Sequence, residues 1–228
     1  MEKLPTSLLS IENIVLYSYW RSSCTWRIRI AMNIKGIKYE IKTVHLVKNE
    51  QSSDEFLAKN PIGRVPLLEF TLRDGDNVTN HSIAESTAIL EFLEEVFPDT
   101  SLYPSNLVDK AKVRMICSEV ASNIQPIQNL TVLNKLEELG CNKLEWAKYW
   151  IEKGLSALEL IISETKGKYS FGDNITLADA FLIPQLYNAR RFNINIDDYP
   201  NIANIEKNVQ EIEAFINASP DKQPDFQG

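Results

Sequence analysis

Ser22-Ser23-Cys24-Thr25-Trp26-Arg27 stands where a short apolar strand pattern, Ile14-Val15-Leu16-Tyr17, gives way to a helical one at Ile28, Ala31 and Met32. Two hydroxyls and a thiol therefore crowd the start of the first helix. The unpaired N–H groups and dipole of a helix N-terminus favour negative charge there. A thiolate suits such a place, whether it is the chain's own or a ligand's, because a helix N-terminus lowers a thiol's pKa from its ordinary value of about 8.5. The same run also reads as an ordinary helix cap, with serine and threonine at the cap and cysteine as a small buried filler. Taken alone, the six residues do not separate cap from site.

Composition narrows the function classes. The chain has 228 residues, long enough for one large or two modest domains. Hydrophobic residues at 44% against 24% charged describe a chain that buries a core. A net charge of −7 and no basic or aromatic-basic run argue against nucleic acid as the partner. Three scattered cysteines, Cys24, Cys117 and Cys141, do not form a disulfide framework and point to a reducing compartment. Met1 to Ser10 reads as neither signal peptide nor anchor, and no segment reaches transmembrane length. A cytoplasmic protein is expected.

Strand and helix signals alternate through residues 11–97. The pattern predicts strands at Ile14 to Tyr17 and Tyr39 to Val44, and a helix from Thr25 to Lys35 stopped by Gly36. It predicts a short helix near Ser53 to Leu57 and a strand from Val65 to Phe70. The turn Asp74-Gly75-Asp76 then leads to a short partner strand beginning at Val78-Thr79, the two strands forming an antiparallel hairpin, and a helix runs from Glu85 to Val96. The order is βαβαββα. After a linker at Pro98 to Ser105 the strand signal disappears. Helical periodicity marks Leu107 to Leu133, Leu144 to Glu164, Leu177 to Arg190 and Ile202 to Phe215, so residues 106–228 read as an all-α domain. The tail from Ser219, with two prolines, reads as loosely held.

Two further stretches carry chemistry. In Asn60-Pro61-Ile62-Gly63-Arg64-Val65-Pro66, the proline opens a strand, and an X-Pro bond is the one kind with an appreciable cis population. A cis bond would turn the Val65 N–H and C=O outward, where they could pair with an extended peptide. A trans proline at a strand start is the plainer alternative. Glu85-Ser86 opens the next helix, where Ser86 can offer hydroxyl and N–H to a carboxylate and Glu85 can take an ammonium. Together these features describe a thiol at one helix tip, a peptide backbone at Val65, and an amino-acid head group at the other tip. That is the shape of glutathione.

The chain resembles the glutathione transferases, and more narrowly the zeta class, whose known members are maleylacetoacetate isomerases. The resemblance runs through Tyr17 to Ala31, Lys35-Gly36-Ile37, Asn60-Pro61 to Val65-Pro66, and Ile124-Gln125-Pro126-Ile127-Gln128-Asn129-Leu130. It continues in Gly172-Asp173, Thr176-Leu177-Ala178-Asp179 and Pro184-Gln185 to Arg191-Phe192. It implies a thioredoxin-like front domain and a helical back domain. It further implies that Ser22 donates its hydroxyl to the glutathione sulfur, with Ser23 and Cys24 beside it and Thr25, Trp26 and Arg27 completing that end of the site. Gln51 is implied at the glycine end, Val65 at the cysteinyl backbone, and Glu85 and Ser86 at the γ-glutamyl end. Gln125, Asn129, Leu130 and Thr131 also match glutathione-facing positions, and Arg191 matches an arginine near the substrate's carboxylate. Zeta members commonly carry Gln-Ser where this chain has Glu85-Ser86, and His81-Ser82 is a competing alignment for that pair.

The resemblance implies glutathione-dependent cis–trans isomerisation of a maleyl diketo acid, as in tyrosine and phenylalanine catabolism, by a homodimer. Displacement of halide from α-haloacids by the same thiolate is the alternative chemistry, and a non-catalytic binding module is the alternative of another class. His45 and His81 lack partners at metal-ligand spacing, so no metal is expected. Thr176-Leu177-Ala178-Asp179 reads as a capping box with a structural role. The stripe Trp146, Tyr149 and Trp150 reads as core.

Overall fold

The computed structural model describes residues 9–165 and 167–227. The reading of the N-terminal stretch lies, apart from Leu9 and Ser10, outside them. The described residues form two compact units, one ending at Phe97 and regained from Ala218 onward, the other running from Pro98 to Asn217.

The front unit has the expected βαβαββα order: β1 (Leu9–Ser18), α1 (Ser23–Ile34), β2 (Glu40–Thr43), α2 (Asp54–Lys59), β3 (Leu67–Asp74), β4 (Asn77–Ala84) and α3 (Ser86–Val96). Its sheet has the order β2-β1-β3-β4, with β1 parallel to β2 and antiparallel to β3, and β3 antiparallel to β4. This is the mixed sheet of a thioredoxin-like domain. β1 is longer than its apolar run because the register shifts between Glu12 and Val15, with Asn13 at φ 52°. Asparagine is among the few residues that accept that conformation. β4 likewise spans eight residues where only a short strand beginning at Val78-Thr79 was expected. It is an edge strand, mostly exposed and polar, so no hydrophobic alternation announces it.

Alternation along β1 divides its side chains between two layers. Tyr17, with Val15 packed beside it, belongs to a cluster containing Tyr19, Trp20, Val44, Phe56 and Val65, so α2 covers this face through Phe56. Leu16, fully buried, points the other way. α1 and α3 pack together, and nearly all of α1 is buried. Each fully buried Ile or Met there, such as Ile28, Ile30 and Met32, contributes roughly 1.5–3 kcal/mol. α1 stops where Lys35 caps it and Gly36 takes φ +67°, the left-handed turn that glycine accepts without cost. Lys35 Nζ pairs with Glu94 at 2.8 Å and donates to Phe97 O at 2.9 Å, tying the end of α1 to α3 inside the core.

The back unit holds α4 (Leu107–Ser118), α5 (Leu130–Glu138), α6 (Lys143–Thr165), α7 (Leu177–Arg191) and α8 (Pro200–Val209), with α9 (Glu213–Ala218) closing it. The single helix expected over Leu107 to Leu133 is broken. A π-helical turn at Glu119–Ile124 and a 3₁₀ turn at Pro126–Gln128 separate α4 from α5. Pro126 has no N–H to continue the ladder, and Asn129 caps a new helix by accepting from the Thr131 amide. Ile124 lies directly against Gly154 of α6, where a Cβ would collide with its side chain. The helix expected over Ile202 to Phe215 is also two, α8 and α9. Thr176 sits at the N-cap of α7, and Asp179, fully buried, accepts from the backbone N–H groups of both Thr176 and Ser170 at 2.8 Å. The return half of the capping box is thus formed, while the Thr176 hydroxyl donates to the same carboxylate. The tryptophan stripe is not core. Tyr149 is 57% exposed and Trp146 38%, and the rings of Trp146 and Tyr149 each pair with Trp150.

The tail differs from its expectation in both placement and order. Residues from Ala218 onward belong to the front unit and are tied to the segment between β1 and α1. Asp225 Oδ2 accepts from the Trp20 amide at 3.0 Å, and the Phe226 ring meets Trp20 edge-on at 5.1 Å. Arg29, wholly buried in α1, donates through Nε to Ala218 O, through Nη1 to Ser18 Oγ and through Nη2 to Trp20 O. Burial pulls its guanidinium down to about 10, opposed by the charges of Tyr39 and Asp225.

Candidate active site

Ser22 is the N-cap of α1. Its Oγ accepts twice, from the Thr25 amide at 3.3 Å and from the Thr25 hydroxyl at 3.0 Å. A hydroxyl has two acceptor lone pairs and one proton, so this geometry spends the lone pairs and leaves the O–H to donate. Cap and donor are therefore compatible duties of one side chain. The first turn of α1 carries no acidic residue, so its positive end is not neutralised by a side chain of its own. Ser23 and Thr25 are buried, while Ser22 and Cys24 are half-buried, and Cys24 is a free thiol.

The Val65-Pro66 bond is cis. Val65 lies two residues before β3, and among the described residues no other group pairs with its backbone N–H or C=O. That fits a strand-like peptide partner. Beyond β4, Glu85 is the N-cap of α3 with φ 69° and ψ 120°, a conformation that non-glycine residues rarely adopt. Such outliers gather at ligand sites. The Glu85 side chain makes no capping bond, so among the described residues the first amides of α3 have no side-chain cap. Ser86 is buried at this tip. His81 and Ser82 lie instead on exposed β4, paired across from Phe70 and Glu69. Of the two alignments, Glu85-Ser86 is the one at a helix tip.

Gln51 lies in a 3₁₀ turn, Glu50–Ser52. Its Nε2 donates to Asn49 Oδ1, and its Oε1 is buried without a hydrogen-bond partner among the described residues. Trp26 is buried in α1. Arg27 is 2% exposed and reaches across to α3, where its Nη1 donates to Ser86 Oγ at 3.0 Å. That link was not read from the sequence, although a signal existed: Arg27 and Arg29 alternate with Ile28 and Ile30 in a helix buried on all sides. Buried guanidinium groups require partners.

In the back unit, Gln125 ends the π-helical turn, donating its amide to Val120 O. Asn129 caps α5, and Leu130 and Thr131 form that helix's exposed first turn. Arg191 is the exposed last residue of α7, where a cation complements the helix dipole. Among the described residues no three His, Cys, Asp or Glu side chains gather as a metal cluster, and no helix is long and apolar enough to cross a membrane.

Residues 12–95 match the family described as "Glutathione S-transferase, N-terminal domain", and residues 133–217 match "Glutathione S-transferase, C-terminal domain". The maleylacetoacetate isomerase of Rattus norvegicus is 45% identical over 213 residues, covering 92% of this chain and 94% of the relative. The zeta-class glutathione S-transferase of Euphorbia esula is 43% identical over 213 residues, 92% of this chain and 91% of that one. This chain belongs to the zeta-class glutathione transferase and maleylacetoacetate isomerase family. The maleylacetoacetate isomerase of Anaeromyxobacter dehalogenans, solved with glutathione bound in its active site, aligns with a TM-score of 0.87 and 41% identity, covering 96% of this chain and 99% of that one. A second structure of that enzyme, with a TM-score of 0.85 at 40% identity and coverage of 96% and 95%, holds dicarboxyethyl glutathione and citrate in the active site. The match agrees with the expected zeta-class resemblance and with the expected fold, a thioredoxin-like N-terminal domain followed by a helical C-terminal one.

Proposed function

We propose that this chain isomerises maleylacetoacetate to its fumaryl form with glutathione as cofactor, and that Ser22 is the group that activates the thiol. The observation that carries the assignment of Ser22 is its Oγ accepting both Thr25 donors, which leaves its proton for a sulfur at the tip of α1. Glutathione would supply a thiolate nucleophile that adds to the conjugated double bond while its π electrons pass into the conjugated carbonyl as an enolate, and after rotation about the resulting single bond the enolate collapses, re-forms the double bond in the trans arrangement and expels the thiolate unchanged. Ser22 and the α1 dipole favour the ionised sulfur, lowering its pKa without abolishing its nucleophilicity. Ser23 and Cys24 flank Ser22 on the first turn. Val65 pairs its backbone with the cysteinyl unit, Glu85 takes the ammonium and Ser86 the carboxylate of the γ-glutamyl unit. Gln51 is assigned to the glycine end. Gln125, Asn129, Leu130 and Thr131 are assigned to glutathione and Arg191 to the substrate's carboxylate on the strength of the family match.

The test is glutathione-dependent turnover of maleylacetoacetate by wild type, Ser22→Ala and Cys24→Ala side by side. Wild-type turnover with a large loss in Ser22→Ala and a smaller one in Cys24→Ala is expected. Absence of glutathione-dependent turnover in the wild type would leave a binding module as the reading. We further propose a cytoplasmic homodimer. Leu107, Val108 and Met115 on α4, which are 79%, 63% and 47% exposed, give it apolar surface to cover. Sedimentation at monomer mass across micromolar concentrations would count against the dimer.

A further inference from the structure

Arg27 is drawn as a sulfur-end residue by its place in the run, yet its guanidinium is inside the protein and spans to the other helix tip. Nη1 donates to Ser86 Oγ at 3.0 Å, and Arg27 and Ser86 are 2% and 4% exposed. A hydroxyl oxygen that accepts from a cation has its proton left to give. Among the described residues the Ser86 hydroxyl donates to no acceptor. The adjoining α3 amides have no side-chain cap, since Glu85 makes no capping bond. A guanidinium keeps its charge at any working pH, and a donor polarised by a cation in a dry setting gives a stronger bond to an anion.

We propose that Arg27 is the positioning residue for the ligand's γ-glutamyl α-carboxylate, acting through Ser86. It holds the Ser86 hydroxyl with its proton turned toward the anion and adds positive charge behind the neutral helix tip. Arg27 itself does not touch the ligand. One hydrogen bond thereby couples α1, which carries the thiol-activating Ser22, to the helix that receives the head group. This rests on the reading of Glu85-Ser86 as the γ-glutamyl site.

The test compares two ligands on each protein by calorimetry: glutathione, and 4-aminobutyryl-cysteinyl-glycine, which lacks only the γ-glutamyl α-carboxylate. Wild type is expected to prefer glutathione by about ten- to a hundredfold, the range of one charge-assisted hydrogen bond. Arg27→Gln is expected to lose about tenfold of that preference while binding of the analogue changes little, and Ser86→Ala is expected to lose as much. The double variant is expected to lose no more than either single one, because both act on one bond. A merely structural Arg27 would weaken both ligands alike and leave the ratio at its wild-type value, which overturns the proposal. An unchanged ratio in Ser86→Ala overturns it equally. Should Arg27→Gln not fold, Arg27→Lys, which keeps the cation but not the planar fork, carries the same comparison with an intermediate ratio expected. Wild type binding both ligands equally would overturn the head-group assignment itself. Wild type binding neither would overturn the glutathione reading.

Discussion

Replacing Ser22 by alanine removes a helix cap and a proton donor together, and the two losses register in different measurements. The cap consists of the Thr25 amide and hydroxyl bonds to Oγ. Losing an N-cap serine costs about 1 kcal/mol of stability. The donor loss falls on the ligand's sulfur. A hydrogen bond to a charged group contributes about 1.5–3 kcal/mol. At 1.36 kcal/mol per decade this is about ten- to a hundredfold in kcat/KM, and it raises the bound thiol's pKa by about one to two units. Because the reactive form is the thiolate, the rising limb of the pH–rate profile moves toward alkaline pH by that amount, and activity recovers as pH increases. Ser22→Asp separates the duties. Its carboxylate can accept from Thr25, so Tm stays near that of wild type, but at neutral pH it has no proton to give and repels the thiolate. Its kcat/KM is expected below that of Ser22→Ala. Steady-state kinetics from pH 5.5 to 9 with thermal melts on the same preparations decide the matter. If Ser22→Ala melts lower while its turnover and pH profile match wild type, Ser22 is only a cap and the reasoning is refuted.

Asp179→Ala strands the buried N–H groups of Ser170 and Thr176, which is expected to cost about 3–5 kcal/mol, read by denaturant unfolding, with glutathione affinity little changed in the folded fraction. Burial holds the Asp179 carboxyl above its ordinary range, against its hydrogen bonds from Ser170 and Thr176. Its linkage contribution to stability is therefore fullest below the unfolded carboxyl value and is lost as pH rises through the folded one. Asp179→Asn should gain on wild type as pH increases over that window, and a constant gap would contradict this. Removing residues 224–228 takes away the Asp225 bond to the Trp20 amide and the Phe226 contact. The expected results are a Tm lower by several degrees and a KM for glutathione raised a few fold, and an unchanged KM would show that the tail does not steady the segment bearing Ser22.

The front unit was legible because its signals are local. The short apolar run Ile14 to Tyr17, the stop at Gly36, the turn at Gly75 and the periodicity of Ala88 to Val96 each depend on neighbours in sequence. Expectations failed where the deciding term was not local. Asn13 let β1 run on through a bulge, and β4 is held by pairing with β3 rather than by its own apolar pattern. Helix periodicity continued through Ile124 to Leu133, but Pro126 and the Asn129 cap divided it, and the seat of Ile124 against Gly154 belongs to packing. The tail looked loose by composition. What orders it is a bond to Trp20, two hundred residues earlier.

By itself the sequence determined the element order of the front half, the helical back half, and the two helix tips at Ser22 and Ser86. Caps, turns and side-chain period are written in residues a few positions apart. Tertiary structure decided what those tips can do. Only the folded chain spends the lone pairs of Ser22 on Thr25 and so frees its proton. Only there does Arg27 reach Ser86, fifty-nine positions away, and only there does the tail settle on Trp20. A hydroxyl's direction is set by the partners that consume its other valences, and those partners come from across the fold.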